Sequence, residues 1–299
     1  MILKQRKYKE YNRNEISLRN DDVFKIALGK NENVHLLKDF LQSILKIEIT
    51  NIIVKTEVAL DKTTTNNKGN RLDLLAEIDN KEQINVEIQT RNKYNIVNRS
   101  LYYGSTLYRN SLEKGQDYNI AKKTIVIMIL DYNEFKEGPY HEVARLRRDY
   151  NNEVITDKIE FHYIQLPKFI ESVKEIKGDE EIWLAYISNQ LNEKEKGELI
   201  NMKKSIQEIN AIVDEVMNDE DVYNALTIRE LDEYDRRSAL SYAEEKGMAK
   251  GLEKGERKKQ IEVAKKLLEN KIDIDIIIKT TGLTKEEIEN IVELEGEIN

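Results

Sequence analysis

The sequence predicts an α/β protein: a helix, three strands, a second helix and a fourth strand, then an α-helical C-terminal region. Three features predict it. Apolar residues change from helical spacing before residue 45 to β-branched, strand-like runs between residues 49 and 89. The run KTIVIMIL, residues 123–130, is continuously apolar, as a strand buried on both faces would be. Beyond Pro167 the apolar spacing is helical almost to the end, in a chain with only two prolines and twelve glycines among 299 residues.

Residues 1–20 are polar, mixed in charge, and read as a loose N-terminal arm. From Asp22 the spacing of Val23, Phe24, Leu28, Leu36, Leu37, Phe40, Leu41 and Ile44 predicts two helices separated by GKNEN (29–33), with Asp21 or Asp22 as N-cap. ITNIIVKTEVAL (49–60) reads as a strand and 61–70 as a polar loop; two more strands follow near 71–78 and 83–89. Residues 94–114 read as an amphipathic helix burying Ile96, Val97, Leu101, Leu107, Tyr108 and Leu112, stopped by Gly115. After the strand at 123–130, another is expected near 159–166. The organisation expected is an arm (1–20), an α/β core (21–166), a helical extension (167–240) and a helical regulatory or oligomerisation region (241–299).

The chain contains no cysteine, which excludes disulfides and thiolate metal sites. With no signal-like N-terminus and no apolar run long enough for a membrane span, a cytoplasmic protein without membrane contact is expected. Charge is uneven: residues 1–165 carry 27 Lys and Arg against 24 Asp and Glu, and residues 166–299 carry 21 against 32. The first part could face a polyanion; the second would repel one.

The acids in RLDLLAEIDNKEQINVEIQ (71–89) carry the functional argument. Asp73 lies between Leu72 and Leu74, and Glu87 between Val86 and Ile88. Side chains alternate faces along a strand, so a hairpin loop of odd length, such as Asp79-Asn80-Lys81, would set Asp73 opposite Glu87. An even loop would put them on opposite faces. Facing carboxylates repel unless a divalent cation lies between them, and Mg²⁺ takes such a ligand set. Alternating acids also fit the solvent side of an ordinary hairpin, and strand parity alone leaves the two readings level.

The joint order of these pieces resembles the PD-(D/E)XK nuclease superfamily, and within it the Rpn branch of recombination-promoting nucleases, often labelled transposases. Asp73 in RLDLL matches the first motif acid, and Glu87-Ile88-Gln89 falls where (D/E)XK belongs. NRSLYYGSTLYRNSLEKGQDY (98–118) is similar to the R…Y…L…G…Y stretch of the branch, and DDVFK (21–25) to its opening. The resemblance implies a restriction-endonuclease-like core, a mixed sheet flanked by helices in the order αβββαβ. It implies a Mg²⁺-dependent DNA endonuclease of low sequence specificity, with Mn²⁺ as the alternative ion, linked to recombination, mobile elements or phage defence. Asp73 and Glu87 would hold the metal, Asp22 would reach it through water, and Gln89 would position the attacking water. Glutamine replaces the superfamily lysine and brings no charge, so Arg99 is the candidate cation, with Arg71 and Lys93 behind it and Tyr103 as a further phosphate contact. The alternatives are a catalytically degenerate protein that binds nucleic acid or a partner, and a nuclease acting mainly on RNA.

His35, His141 and His162 are scattered without zinc spacing, and no nucleotide-binding loop occurs, so no nucleotide cofactor is expected. KIDIDIIIKTTGLTKEEIENIV (271–292) has the outline of a helix-turn-helix, but its second helix is acidic, which favours packing or regulation over reading DNA. Gly247, Gly251 and Gly255, four apart, would let a partner helix approach closely, pointing to a homodimer through the C-terminal helices.

Overall fold

The structure, a computed structural model, describes residues 1, 17–59, 71–92 and 94–296, with the side chains of 56–59, 71–73, 226, 229–234, 237 and 292–296 outside that description. The expected loop at 61–70 and most of the expected arm therefore lie outside the described residues. The chain divides into two compact units, Met1–Leu226 and Thr227–Asn299.

The first unit is built on a six-stranded mixed sheet in the order β1-β2-β3-β4-β6-β5. Its strands are β1 (Ile52–Ala59), β2 (Arg71–Ile78), β3 (Glu82–Gln89), β4 (Lys123–Leu130), β5 (His141–Arg147) and β6 (Val154–Gln165). The first three form an antiparallel meander, β3, β4 and β6 run parallel, and β5 closes one edge antiparallel to β6. β5 is absent from the sequence prediction: as an exposed edge of mixed charge it shows neither alternation nor a continuous apolar run.

Parity sorts the sheet into two cores. On one face Leu74, Ala76, Ile78, Ile84, Val86, Ile88, Ile125, Ile127 and Ile129 pack with α1 (Asp21–Leu28), α2 (Val34–Leu45) and the helices after β6. Those are α4 (Leu166–Ser172), α5 (Asp179–Ser188), α6 (Glu193–Met202) and α7 (Lys204–Asn218). Trp183 of α5 anchors this layer: its indole N–H donates to Asp39 at 2.8 Å and its ring meets Phe40 edge-on at 5.5 Å. On the other face Leu75, Val126, Met128, Leu130 and Tyr163 pack against α3 (Ile96–Asn110), the crossover from β3 to β4.

Three local expectations are corrected. The N-cap of α1 is Asn20, whose side-chain oxygen accepts from the N–H groups of Asp22 and Val23 at 2.9 and 3.2 Å; neither Asp21 nor Asp22 serves. Residues 17–20, read as part of the arm, are buried. α3 ends at Asn110, not Gly115, because Ser111 caps it, its hydroxyl donating to the Tyr108 carbonyl at 2.7 Å.

In the second unit, the end of α8 (Glu220–Glu269), α9 (Ile274–Thr281) and α10 (Lys285–Gly296) bury Ala264, Ile277, Leu283, Ile288 and Ile291 together. Gly282 ends α9 at φ 73°, where glycine has no Cβ to clash. Thr284 and Glu287 then form a reciprocal cap for α10, with Glu287 accepting from the Thr284 N–H at 2.8 Å and donating its own N–H to the hydroxyl at 3.3 Å. Gly247, Gly251 and Gly255 lie on an exposed stretch of α8 where an added Cβ meets nothing within 4 Å among the described residues. No helix among the described residues is long and apolar enough to cross a membrane.

Candidate active site

The hairpin loop between β2 and β3 is Asp79-Asn80-Lys81, since Ile78 pairs with Glu82. Its odd length is the condition that lets the two acids share a face. Asp79 and Asn80 take left-handed backbone, φ 49° and 57°, while Lys81 does not. Asp79 also ties the turn to the approach to β1, accepting from the N–H groups of Thr50 and Asn51 at 3.3 and 2.7 Å. The register runs through Leu74↔Val86. Carried one residue further, it sets backbone position 73 opposite Glu87. The side chains of Asp73 and Arg71 lie outside the described residues, as does Lys93 entirely.

β3 turns a polar row toward α3: Gln83, Asn85, Glu87 and Gln89, all buried. Such a row beneath a helix is costly unless each group finds a partner. Gln83 donates to Thr124 Oγ1 at 2.8 Å. Glu87, fully buried, accepts from Asn85 Nδ2 at 3.2 Å and from Arg99 Nη2 at 3.0 Å. Arg99 Nη1 donates to Gln89 Oε1 at 2.9 Å, and its Nε donates to the Tyr103 hydroxyl at 2.8 Å. One guanidinium thus spans the Glu-x-Gln pair, with the Tyr103 ring centroid 5.3 Å from its carbon.

The helix reaches this row because it lies close to the sheet. A Cβ at Gly104 would fall 2.9 Å from the Phe161 ring and 3.3 Å from Val126 Cγ2. The buried side of α3 is therefore Ile96, Ser100, Tyr103, Gly104 and Leu107. Val97 and Leu101, expected in the core, are 42% and 54% exposed. Ile96 and Leu107 are buried as expected, small Ser100 and Gly104 share that face, and only the Val97 and Leu101 part of the apolar pattern points away from it.

The fold also brings up residues that the sequence reading missed. The N–H of Asp131, just past β4, donates to the Gln89 carbonyl at 2.9 Å, and its carboxylate pairs with Arg19. Burial pushes the Asp131 carboxyl up to about 8, and the adjacent guanidinium opposes that shift. Their separation of 112 residues left no sequence signal. Two histidines that look scattered are neighbours: His141 Nε2 lies 2.9 Å from His162 Nδ1, and His141 Nδ1 lies 2.7 Å from Glu180. Asp22 sits at the second position of α1, a helix that packs against β3.

No group of three or more His, Cys, Asp or Glu side chains able to hold a metal occurs among the described residues, a set that excludes the Asp73 side chain. The donor chemistry present nonetheless suits a hard divalent cation: the Glu87 carboxylate and the amide oxygens of Asn85 and Gln89 are all oxygen ligands. Asn85 Oδ1 is fully buried and has no hydrogen-bond partner among the described residues. Arg99 meanwhile puts a cation against Glu87.

Comparison with known proteins agrees with this fold. Residues 18–243 match the PD-(D/E)XK nuclease family transposase model, and residues 257–292 match the Rpn/YhgA-like nuclease family C-terminal HTH domain. Neither the curated proteins nor the solved structures give a match. The second match identifies the C-terminal helices, expected as a packing or regulatory unit, as a helix-turn-helix domain. The first match spans well over half of the chain and the second lies beyond it, and the chain belongs to the Rpn-type PD-(D/E)XK nuclease family transposases.

Proposed function

We propose that the protein is a Mg²⁺-dependent endonuclease that hydrolyses DNA phosphodiester bonds with low sequence specificity, in recombination, mobile-element biology or phage defence. The observation that supports it most is the Arg99 bridge across Glu87 and Gln89, on a strand whose register, continued one residue past Leu74↔Val86, would set position 73 opposite Glu87. Asp73 and Glu87 would hold the metal and Asp22 would reach it through water; Mn²⁺ would serve in place of Mg²⁺. The ion would supply a water of lowered pKa and stabilise charge on the phosphate.

The chain's own groups do the rest. With Oε1 engaged by Arg99, Gln89 offers its NH₂ end to the reaction. It therefore orients the attacking water, or a phosphate oxygen, by donating to it. Arg99 supplies the charge that the superfamily lysine would bring, and its bond to Tyr103 aims the guanidinium. Tyr103, Arg71 and Lys93 complete the phosphate contacts. A helix-turn-helix domain in the same chain favours DNA over RNA as substrate.

The test is plasmid nicking with Mg²⁺ by the wild type, Asp73→Asn and Glu87→Gln, with an RNA substrate in parallel. Both substitutions keep the side-chain shape. Nicking that disappears in both variants supports the reading. Metal-independent cutting, or DNA binding with no cutting by any of the three, would sink it.

A further inference from the structure

α3 turns an unusual face to solvent. Val97, Leu101 and Tyr102 lie on the side away from the sheet, and Tyr94, just before the start of the helix, is 91% exposed. Tyr94 has left-handed backbone, φ 56°, rare for a bulky residue, and its N–H donates to Asn92 Oδ1 at 2.7 Å. An exposed aromatic and aliphatic stripe of this kind marks a binding surface more often than chance.

Two observations identify what binds there. The stripe is continuous with the candidate site: the Tyr102 ring lies 6.2 Å from that of Tyr103, which accepts from Arg99. Its charge is also one-sided. Residues 90–112 contain Arg91, Lys93, Arg99 and Arg109 and no Asp or Glu, in a chain of net charge −8. Aromatic faces interleaved with cations suit a polyanion whose bases are unpaired, because stacking needs base faces that a duplex keeps covered.

We propose that this face binds a single strand of DNA, with unpaired bases stacked on Tyr94 and Tyr102 and the strand led toward Arg99 and Glu87. The inference rests on the nuclease reading and deepens it: the preferred substrate is DNA with an unpaired tract, such as a flap or a bubble. Leu101 and Val97 cover the apolar edges of the stacked bases, and Arg109 lies along the same helix for the phosphates.

The experiment is fluorescence anisotropy of labelled dT20, alone and annealed to dA20, with the full-length protein in EDTA so that nothing is cut. Tyr94→Ala with Tyr102→Ala should weaken single-strand binding tenfold or more and duplex binding less than twofold. The corresponding phenylalanine pair should bind the strand within twofold of wild type, since stacking needs no hydroxyl. Equal losses on strand and duplex, or no loss on the strand, would overturn the proposal. So would a larger loss on a U20 RNA strand than on dT20, or a dimer in light scattering that the alanine pair converts to monomer. Asp73→Asn that no longer cuts yet binds dT20 normally supports the strand surface. A wild type that binds dT20 through these tyrosines but never cuts DNA would remove the nuclease reading and leave the surface in place.

Discussion

Replacing Gly104 by alanine tests whether the close approach of α3 builds the site. The added Cβ would lie 2.9 and 3.2 Å from two Phe161 ring carbons and 3.3 Å from Val126 Cγ2. Carbon atoms pack best at roughly 3.5–4.0 Å, so the helix or the ring must yield by about half an ångström. Overpacking of this kind costs about 1–3 kcal/mol, against about 1 kcal/mol gained by removing a helical glycine. The net loss should be ~0–2 kcal/mol. The larger effect falls on Arg99, five residues earlier, whose bonds to Glu87 and Gln89 are 3.0 and 2.9 Å. Lifting it by about half an ångström stretches both past good geometry. Urea denaturation and plasmid nicking should therefore diverge: modest destabilisation, with nicking down at least tenfold. Gly251→Ala, where an added Cβ meets nothing within 4 Å, supplies the contrast and should stabilise its helix. If Gly104→Ala is more stable than the wild type and nicks at the wild-type rate, the packing argument is wrong.

Two further outcomes follow from the charges. Arg99→Met leaves the fully buried Glu87 carboxylate without its cation, which should cost about 3–5 kcal/mol. Added Mg²⁺ should raise the melting temperature of this variant more than that of the wild type; equal shifts would contradict a carboxylate site that takes either cation. Stability should also fall in acid. Burial pushes the Glu160 carboxyl up, but His162, Arg145 and Lys123 outweigh it and hold the group at about 2. His162 Nε2 is 3.7 Å away, too long for a hydrogen bond, so Arg145 at 2.7 Å carries most of that effect. A carboxyl depressed in this way contributes stability that is present above 4.5 and lost as pH falls toward 2. Burial lowers the pKa of His162, so its contribution is lost as pH falls below 6.5. Urea midpoints at pH 7.5 and 5.5 should differ less in His162→Gln than in the wild type; an equal difference would exclude His162 as a source.

The parts of the fold legible in the sequence are those where one physical effect dominates. β4 matches its expected span, 123–130, because burial on both faces leaves only apolar residues. The hairpin register was readable as a condition, an odd loop, although the sequence did not fix the turn. α3 misled because its deepest contacts are Ser100, Tyr103 and Gly104. A helix pressed close to a sheet selects for small residues at the contact, so Val97 and Leu101 fall on the solvent side while Ile96 and Leu107 stay buried. β5 left no pattern because an edge strand needs neither a full core face nor alternation. Asn20 displaced the expected acids as N-cap through geometry one residue upstream, where composition favoured the aspartates. The Arg19–Asp131 pair joins chain segments that only the finished sheet brings together.

The Arg99 bridge has a consequence for assembly. Glu87 is a strand residue on a local hairpin, and its guanidinium partner arrives only when α3 docks across that hairpin. Sealing the carboxylate away from water before the helix is in place would cost several kcal/mol. Strand burial and helix docking are therefore coupled into one cooperative event, and a chain caught halfway has no finished candidate site. For a protein proposed to cut DNA, competence becomes a property of the completed core, a safeguard that needs no separate inhibitor during synthesis.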